Sequence, residues 1–288
     1  MFNHILVGLD GSEYSDTALR YALTLAKQCG ATLHGVHVVD IVQVESPLLH
    51  DLAGAIGAAP LHNLTTLMRQ NLELRGQQLL TQCRQECDSQ GIPCVEHLVT
   101  GVVPTEIARL APEVDLVVLG RGGLHTRLSK ALLGSAVGNV IRTGITPTMV
   151  TPAQYAEMRR PVLATDGSSS AMAALSAAMT FAEHLRVPLS VVHCSTTATS
   201  GTAFLEAVQE QLTARGITCS VNICQGNAHE DLLQYIRDHG HDLVIMGAFG
   251  HRRIVEWLLG STTQYLLRTS PVPLVLCHAQ EPREAPVA

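Results

Sequence analysis

No stretch of the chain approaches the roughly 18 consecutive apolar residues that a membrane-spanning helix needs. Positive charge is also scarce: 19 Lys and Arg stand against 25 Asp and Glu, giving a formal net charge of −6 and a pI near 6.1. Nucleic acid and anionic membranes reward clustered Lys and Arg, so neither is expected as a partner. Met1-Phe2-Asn3-His4-Ile5 passes straight into a strand pattern, without the basic region, apolar stretch and small-residue cleavage site of an export signal. The expectation is a cytoplasmic protein.

Paired cysteine motifs are missing too. Cys29, Cys83, Cys87, Cys94, Cys194, Cys219, Cys224 and Cys277 are scattered with no CxxC and no zinc-knuckle spacing, which reads as reduced thiols. Cys83 and Cys87 share a helix face at i, i+4, but no CxxH or HxxxH accompanies them, so packing is expected rather than metal. Neither a G-x-S-x-G nucleophile elbow nor an HExxH helix occurs, and organised catalysis is not expected. His34 and His37, three apart in a strand, face opposite sides and form no local metal pair. His37 and His193 are expected as core or ligand-adjacent strand residues, and His239 and His241 as helix-end residues at solvent.

What the chain does have is apolar material, 46% of 288 residues, enough for two packed domains. It also repeats itself. Ile5-Leu6-Val7-Gly8-Leu9-Asp10-Gly11-Ser12 answers to Pro161-Val162-Leu163-Ala164-Thr165-Asp166-Gly167-Ser168, and Leu33 to His37 answers to Leu189 to His193. Val114-Asp115-Leu116-Val117-Val118-Leu119-Gly120 matches His241-Asp242-Leu243-Val244-Ile245-Met246-Gly247, and Leu132 to Ser135 matches Leu258 to Ser261. The second copy is shorter because it lacks a segment carried by the first within residues 40–100. The first-copy stretch Val42 to Leu61, with Gly54, Gly57 and Pro60, reads as a flap or a domain contact. Domains are expected at 1–152 and 160–279, with 280–288 a loose tail.

In each copy short apolar strands alternate with helix-period segments, which implies an α/β fold with a parallel sheet covered on both faces. In the first copy strands are expected at 5–9, 32–39, 95–99, 116–119 and 148–150, with helices near 64–89, 105–110 and 134–142. Ligands of such sheets sit beyond the carboxyl ends of the strands, where the winding reverses. Asp10, Gly120 to Gly123, Asp166 and Gly247 to Gly250 all follow strands directly. After the fourth strand of the second copy come Gly247-Ala-Phe-Gly250, nine residues, and Gly260-Ser261-Thr262 opening a helix. Glycines admit close backbone approach and a helix N-terminus favours anions, so the pattern suits a phosphate cradle. The first copy repeats the layout as Gly120-Arg-Gly-Gly123, ten residues, then Gly134-Ser135.

This order of strand, Asp-Gly-Ser turn, His-Val second strand and G-x2-G-x9-G-[S/T] loop resembles the universal stress protein family, twice over. The resemblance implies two tandem doubly wound five-stranded parallel-sheet domains of the adenine nucleotide α-hydrolase-like fold, strand order 3-2-1-4-5. It implies an adenine nucleotide, ATP or else AMP or ADP, held with Mg. Asp166, and in the first copy Asp10, would sit by the adenosine and metal. Cys194 and Val38 would hold the adenine edge through their backbones. Gly247, Gly250, Gly260, Ser261 and Thr262 would take ribose and phosphates, as would Gly120, Gly123, Gly134 and Ser135. The first copy's longer spacer makes the second the expected principal site. His251, Arg252, Arg253, Arg127 and Lys130 stand in the loops where phosphate would be neutralised or as solvated charges. Pairing through the last strands, Thr148 to Val150 and Pro273 to Leu276, is implied within the chain, or between chains as a homodimer.

The function implied is nucleotide-dependent stress response or signalling, with at most slow ATP hydrolysis. A nucleotide-free tandem scaffold for a small hydrophobic ligand or a protein partner is the alternative, and an ATP-pyrophosphatase is disfavoured because Asp10-Gly11-Ser12-Glu13 does not match an SGGxDS-like loop.

Overall fold

Apolar runs rich in β-branched residues form strands buried on both faces, and the amphipathic segments between them cover those faces. The computed structural model describes residues 2–41, 61–123, 135–143, 146–195, 202–225, 230–248 and 260–279. The first half runs β1 (His4–Gly8), α1 (Glu13–Cys29), β2 (Thr32–Asp40), α2 (Leu61–Gln90), β3 (Cys94–Gly101), α3 (Val103–Leu110), a 3-10 turn (Ala111–Glu113), β4 (Leu116–Gly120), α4 (Ser135–Thr143) and β5 (Thr148–Thr151). The second half repeats it as β6 (Pro161–Thr165), α5 (Ser169–Leu185), β7 (Leu189–Ser195), α6 (Thr202–Ala214), β8 (Cys219–Gln225), α7 (Glu230–Asp238), β9 (Leu243–Gly247), α8 (Ser261–Thr269) and β10 (Leu274–Cys277). The stretch 42–60 expected as a flap, the loops 124–134 and 249–259, and the tail 280–288 lie outside the described residues.

The ten strands form one sheet in the order β3-β2-β1-β4-β5-β10-β9-β6-β7-β8. Each half is parallel with its own order 3-2-1-4-5. The halves meet where β5 and β10 pair antiparallel, Met149 opposite Val275. Alternation along the strands divides the core into two layers. Ile5, Val7, Leu33 and Leu163 face one layer with Tyr21, Leu25, Leu175 and Phe181 of α1 and α5. Leu6, Val36 and Val162 face the other with Ile107, Ile141, Ile236 and Leu266 of α3, α4, α7 and α8.

The repeated Asp has a structural reason. Asp115 Oδ2 accepts from the backbone N–H groups of Asn3 (2.7 Å) and His4 (3.0 Å), and Asp242 accepts likewise from Arg159 and Arg160. Each carboxylate thus satisfies the N–H groups where its half's first strand begins.

The connecting segment is anchored. Tyr155 packs on Tyr21 at 4.6 Å between ring centroids, the Tyr21 hydroxyl accepts from Ala156 N–H (3.0 Å), and Met158 is buried. Phe2 packs edge-on against Phe181 of the other half at 5.0 Å. Among the described residues no helix is long and apolar enough to cross a membrane.

Candidate functional site

The first strand of each half ends in the same turn. Asp10 Oδ1 accepts from Ser12 N–H (2.9 Å), Gly11 turns the chain at φ 76°, and Ser12 Oγ accepts from Ser15 N–H (3.2 Å) to cap α1. In the second half Asp166 Oδ1 accepts from Ser168 N–H (3.0 Å), Gly167 takes φ 77°, and Ser168 Oγ caps α5 through Ala171 N–H (3.3 Å). Only glycine takes such a φ without strain, and each cap stabilises its helix by about 1 kcal/mol. Both Asp carboxylates are therefore held at the carboxyl end of the sheet, beside the point where strands one and four diverge.

Gly120 and Gly247 close the other side of that crevice, and the structure shows what they make room for. A Cβ on Gly120 would lie 2.7 Å from Tyr14 Cβ and 2.8 Å from its carbonyl carbon. One on Gly247 would lie 2.8 Å from Ser170 Cβ. Each strand end thus abuts the first turn of the helix that follows its half's first strand, and its side-chain direction is filled by protein. A Cβ on Gly123 would fall 2.7 Å from Asp10 Oδ2, so the first-half loop passes directly against that carboxylate.

Gly260 is the N-cap of helix α8, and among the described residues no side chain caps it. Ser261 is exposed and Thr262 half-buried. Thr263, absent from the sequence expectations, is buried and donates from Oγ1 to the Ala248 carbonyl (3.2 Å), fixing the start of α8 against the end of β9. Its counterpart Val137 cannot make that bond. Val38 pairs with Val99, and Cys194 with Cys224, at matching positions of β2 and β7. Ser135 opens α4; Gly134 and Gly250 lie outside the described residues, as do the loop cations Arg127, Lys130, His251, Arg252 and Arg253.

Further residues near the crevice emerge from packing. Gly76 lets α2 press onto β2, since a Cβ there would lie 2.4 Å from His37 Cδ2, and Arg75 next to it reaches the Asp10 carbonyl (3.3 Å). A glycine inside a long helix is a sign of such close approach. His37 Nδ1 bonds the Leu9 carbonyl (2.7 Å); burial lowers its pKa, the bond to Leu9 raises it, and Arg75 lowers it again. Its counterpart His193 is 5% exposed, yet its Nδ1 has no hydrogen-bond partner among the described residues. Burial raises the Asp16 carboxyl, and the nearby Asp10 raises it further.

The expectation that His241 lies at solvent is corrected: it is 6% exposed, because the chain turns at Gly240 (φ 62°) and sets its ring 5.5 Å from that of Tyr235, with Nδ1 at 3.1 Å from the Arg160 carbonyl. His239 does cap the helix end, at 3.0 Å from the Tyr235 carbonyl. A depression of about 540 Å³ lined by Ala182, Arg186, Pro188, Arg215 and Ile217 lies at the opposite, amino ends of the strands, away from these residues.

A tandem, doubly wound α/β protein with an Asp-Gly-Ser turn at the switch point of each half, and a glycine-opened helix at that of the second, is the class these features define. The model of the universal stress protein family matches residues 1–152 and again 158–278, and the chain belongs to that family. It is similar to universal stress protein Slr1230 of Synechocystis, 28% identical over 282 residues, 94% of this chain and 98% of that one. It also resembles universal stress protein MJ0531 of Methanocaldococcus jannaschii, 28% identical over 152 residues, 52% of this chain and 82% of that one. A universal stress protein structure from Archaeoglobus fulgidus superposes with a TM-score of 0.78 at 22% identity, covering 97% of this chain and all of that one, which establishes the shared fold.

Proposed function

We propose that the chain binds an adenine nucleotide, ATP or its AMP or ADP products, chiefly in the second half, and that occupancy biases a conformation or partner surface in a stress response. The carrying observation is the start of α8: a helix opened by Gly260 with no side-chain cap among the described residues, pinned to the end of β9 by Thr263, at the switch point of the sheet. Such an N-terminus favours an anion. The buried His193 Nδ1, close to Gly167 and without a partner among the described residues, adds support, since buried polar groups are normally satisfied.

In this reading Gly260, Ser261 and Thr262 take the phosphates together with Gly250, and Asp166 stands by the ribose and Mg. Cys194 presents its backbone to the adenine edge. Gly247 contributes through its backbone alone, because Ser170 fills its side-chain direction. At most slow hydrolysis follows, with no residue assigned as a general base among the described residues. The halves 1–152 and 160–279 act as the two domains of a cytoplasmic protein, their β5–β10 pairing standing in for a dimer of single-domain chains.

The first half supports a second reading for itself, as a nucleotide-free scaffold. Gly123 lies against Asp10, Arg75 overlies the Asp10-Gly11 turn, and Arg121 is turned toward the other half. Val38, Gly120, Gly134 and Ser135 then serve the fold more than a ligand.

The test is to purify the protein without added nucleotide, denature it, identify released small molecules by mass, and titrate ATP into wild type, Gly260→Val, Asp166→Ala and Asp10→Ala. Co-purified nucleotide, with binding lost in Gly260→Val and Asp166→Ala but kept in Asp10→Ala, supports the second-half site. Loss only in Asp10→Ala moves the site to the first half, and a wild type indifferent to ATP leaves the scaffold reading for both.

A further inference from the structure

Far from the crevice, at the amino end of β3, three thiols come together. Cys83 and Cys87 lie one helical turn apart on α2, and Cys94 is the first residue of β3. After α2 the chain turns at Gly91 (φ 70°), Ile92 N–H bonds the Cys87 carbonyl (2.9 Å), and Cys94 pairs beside Leu33. That short return aims Cys94 at the helix, and the three sulfurs all lie within 4.8 Å of one another. Cys83 and Cys87 are fully buried, Cys94 is half-buried, and all three are reduced. On β2, Gly35 clears space for this group: a Cβ there would lie 3.1 Å from Cys83 Sγ. Cys83 and Cys87 pack in the core as the sequence suggests, and the fold adds Cys94 beside them.

We propose that Cys83, Cys87 and Cys94 form a three-thiolate site for a soft trivalent metalloid of the arsenite class. Thiolates select soft ions, and bonds of about 2.3 Å to a pyramidal trivalent centre would set the sulfurs roughly 3.5 Å apart, so a triangle within 4.8 Å closes by side-chain movement. Charge decides among the soft ions. The surroundings are apolar, including Leu33, Leu80 and Ile92, and the nearby Arg84 guanidinium is already paired with Glu96. Three thiolates around a monovalent ion would leave two uncompensated negative charges and around a divalent ion one, each costing several kcal/mol when buried. A divalent zinc also asks for a fourth ligand, and the cluster has three among the described residues.

A trivalent centre with three thiolates is neutral and three-coordinate. Arsenous acid, As(OH)3, meets the site without redox change. Three As–O bonds break, three As–S bonds form, and the three thiol protons leave with the three hydroxides as water. Cys94 is half-buried where Cys83 and Cys87 are buried, which makes it the sulfur that a solute reaches first.

This site is independent of the nucleotide reading. The test adds one equivalent of arsenite to the reduced full-length protein and follows native mass and sulfur–arsenic absorption. Expected are one arsenic gained with three thiol hydrogens lost, and affinity weakened by about tenfold or more in Cys94→Ser and in Cys87→Ala. Circular dichroism checks that both variants fold. A Cys219→Ser/Cys224→Ser variant, which alters the thiols of β8, should bind arsenite like wild type. Indifference to arsenite overturns the proposal, as does undiminished binding in Cys94→Ser. Tighter competition by Cu(I) or Zn(II) overturns the ion class. A disulfide among the three cysteines in freshly purified protein, seen by peptide mapping, replaces the site with a redox pair.

Discussion

The Arg121 guanidinium donates a 2.6 Å hydrogen bond to the carbonyl of Ser270, tying the loop that leaves β4 in the first half to the end of α8 in the second. Ser270 is buried, and a charged donor to a buried carbonyl contributes about 1.5–3 kcal/mol when desolvated, less when the donor is half-exposed as here. Arg121→Ala should therefore lower stability by about 1–2 kcal/mol in urea unfolding. An unchanged midpoint would show that water replaces the guanidinium without loss.

Gly247→Ala should cost about 1–3 kcal/mol, because its new methyl meets Ser170 Cβ at 2.8 Å and backbone atoms at 3.0 and 3.1 Å. Adding Ser170→Gly removes one of those three contacts and should restore part of the loss, not all. Gly120→Ala should be the costlier change, since two of its three closest contacts are Tyr14 backbone atoms at 2.8 and 2.9 Å. Thermal unfolding of the single and double variants decides; full rescue would mean the backbone yields.

These glycines show how the sequence carries a site. Their spacing was legible, as were the positions of Asp10 and Asp166 after strands, because apolar alternation and turn residues are local signals; the strand order came only through the family resemblance. The reason for Gly120 and Gly247 was not, since it lies in helices that the pattern does not place against them. Arg75, Thr263 and Cys94 were hidden for the same cause: each acts on a residue brought near only by the folded sheet. His241 was misread because its burial depends on the turn at Gly240, not on its polar neighbours.

Thr263→Val keeps the shape of a buried residue and removes its bond to the Ala248 carbonyl. The stability cost should be about 1–2 kcal/mol, as an unsatisfied buried carbonyl remains. ATP affinity should weaken several-fold more than in Ser12→Ala, which removes only the first-half helix cap. Calorimetric titration of both variants compares them; equal affinities would detach the start of α8 from the nucleotide.

Acid should weaken the fold before the carboxylates titrate. Burial pushes the His278 imidazole down to about 4, and burial is also the leading cause of the lowered values of His34, His37 and His241, with His97 adding to it at His34. A histidine with a depressed folded pKa binds protons more readily in the unfolded chain, so its contribution is present above its unfolded value of 6.5 and is lost as pH falls toward the folded one. For His278 that window runs from 6.5 to about 4, with about 1 kcal/mol gone by pH 5.5 and on the order of 3 kcal/mol gone below the window. Asp16 works in the opposite sense, its raised carboxyl favouring the folded state on acidification, but only near the carboxylate range. The urea midpoint should therefore drop between pH 7.5 and 5.5, and His278→Gln should flatten that slope. A midpoint that holds or rises would mean that these imidazoles gain partners on protonation that the neutral structure does not use.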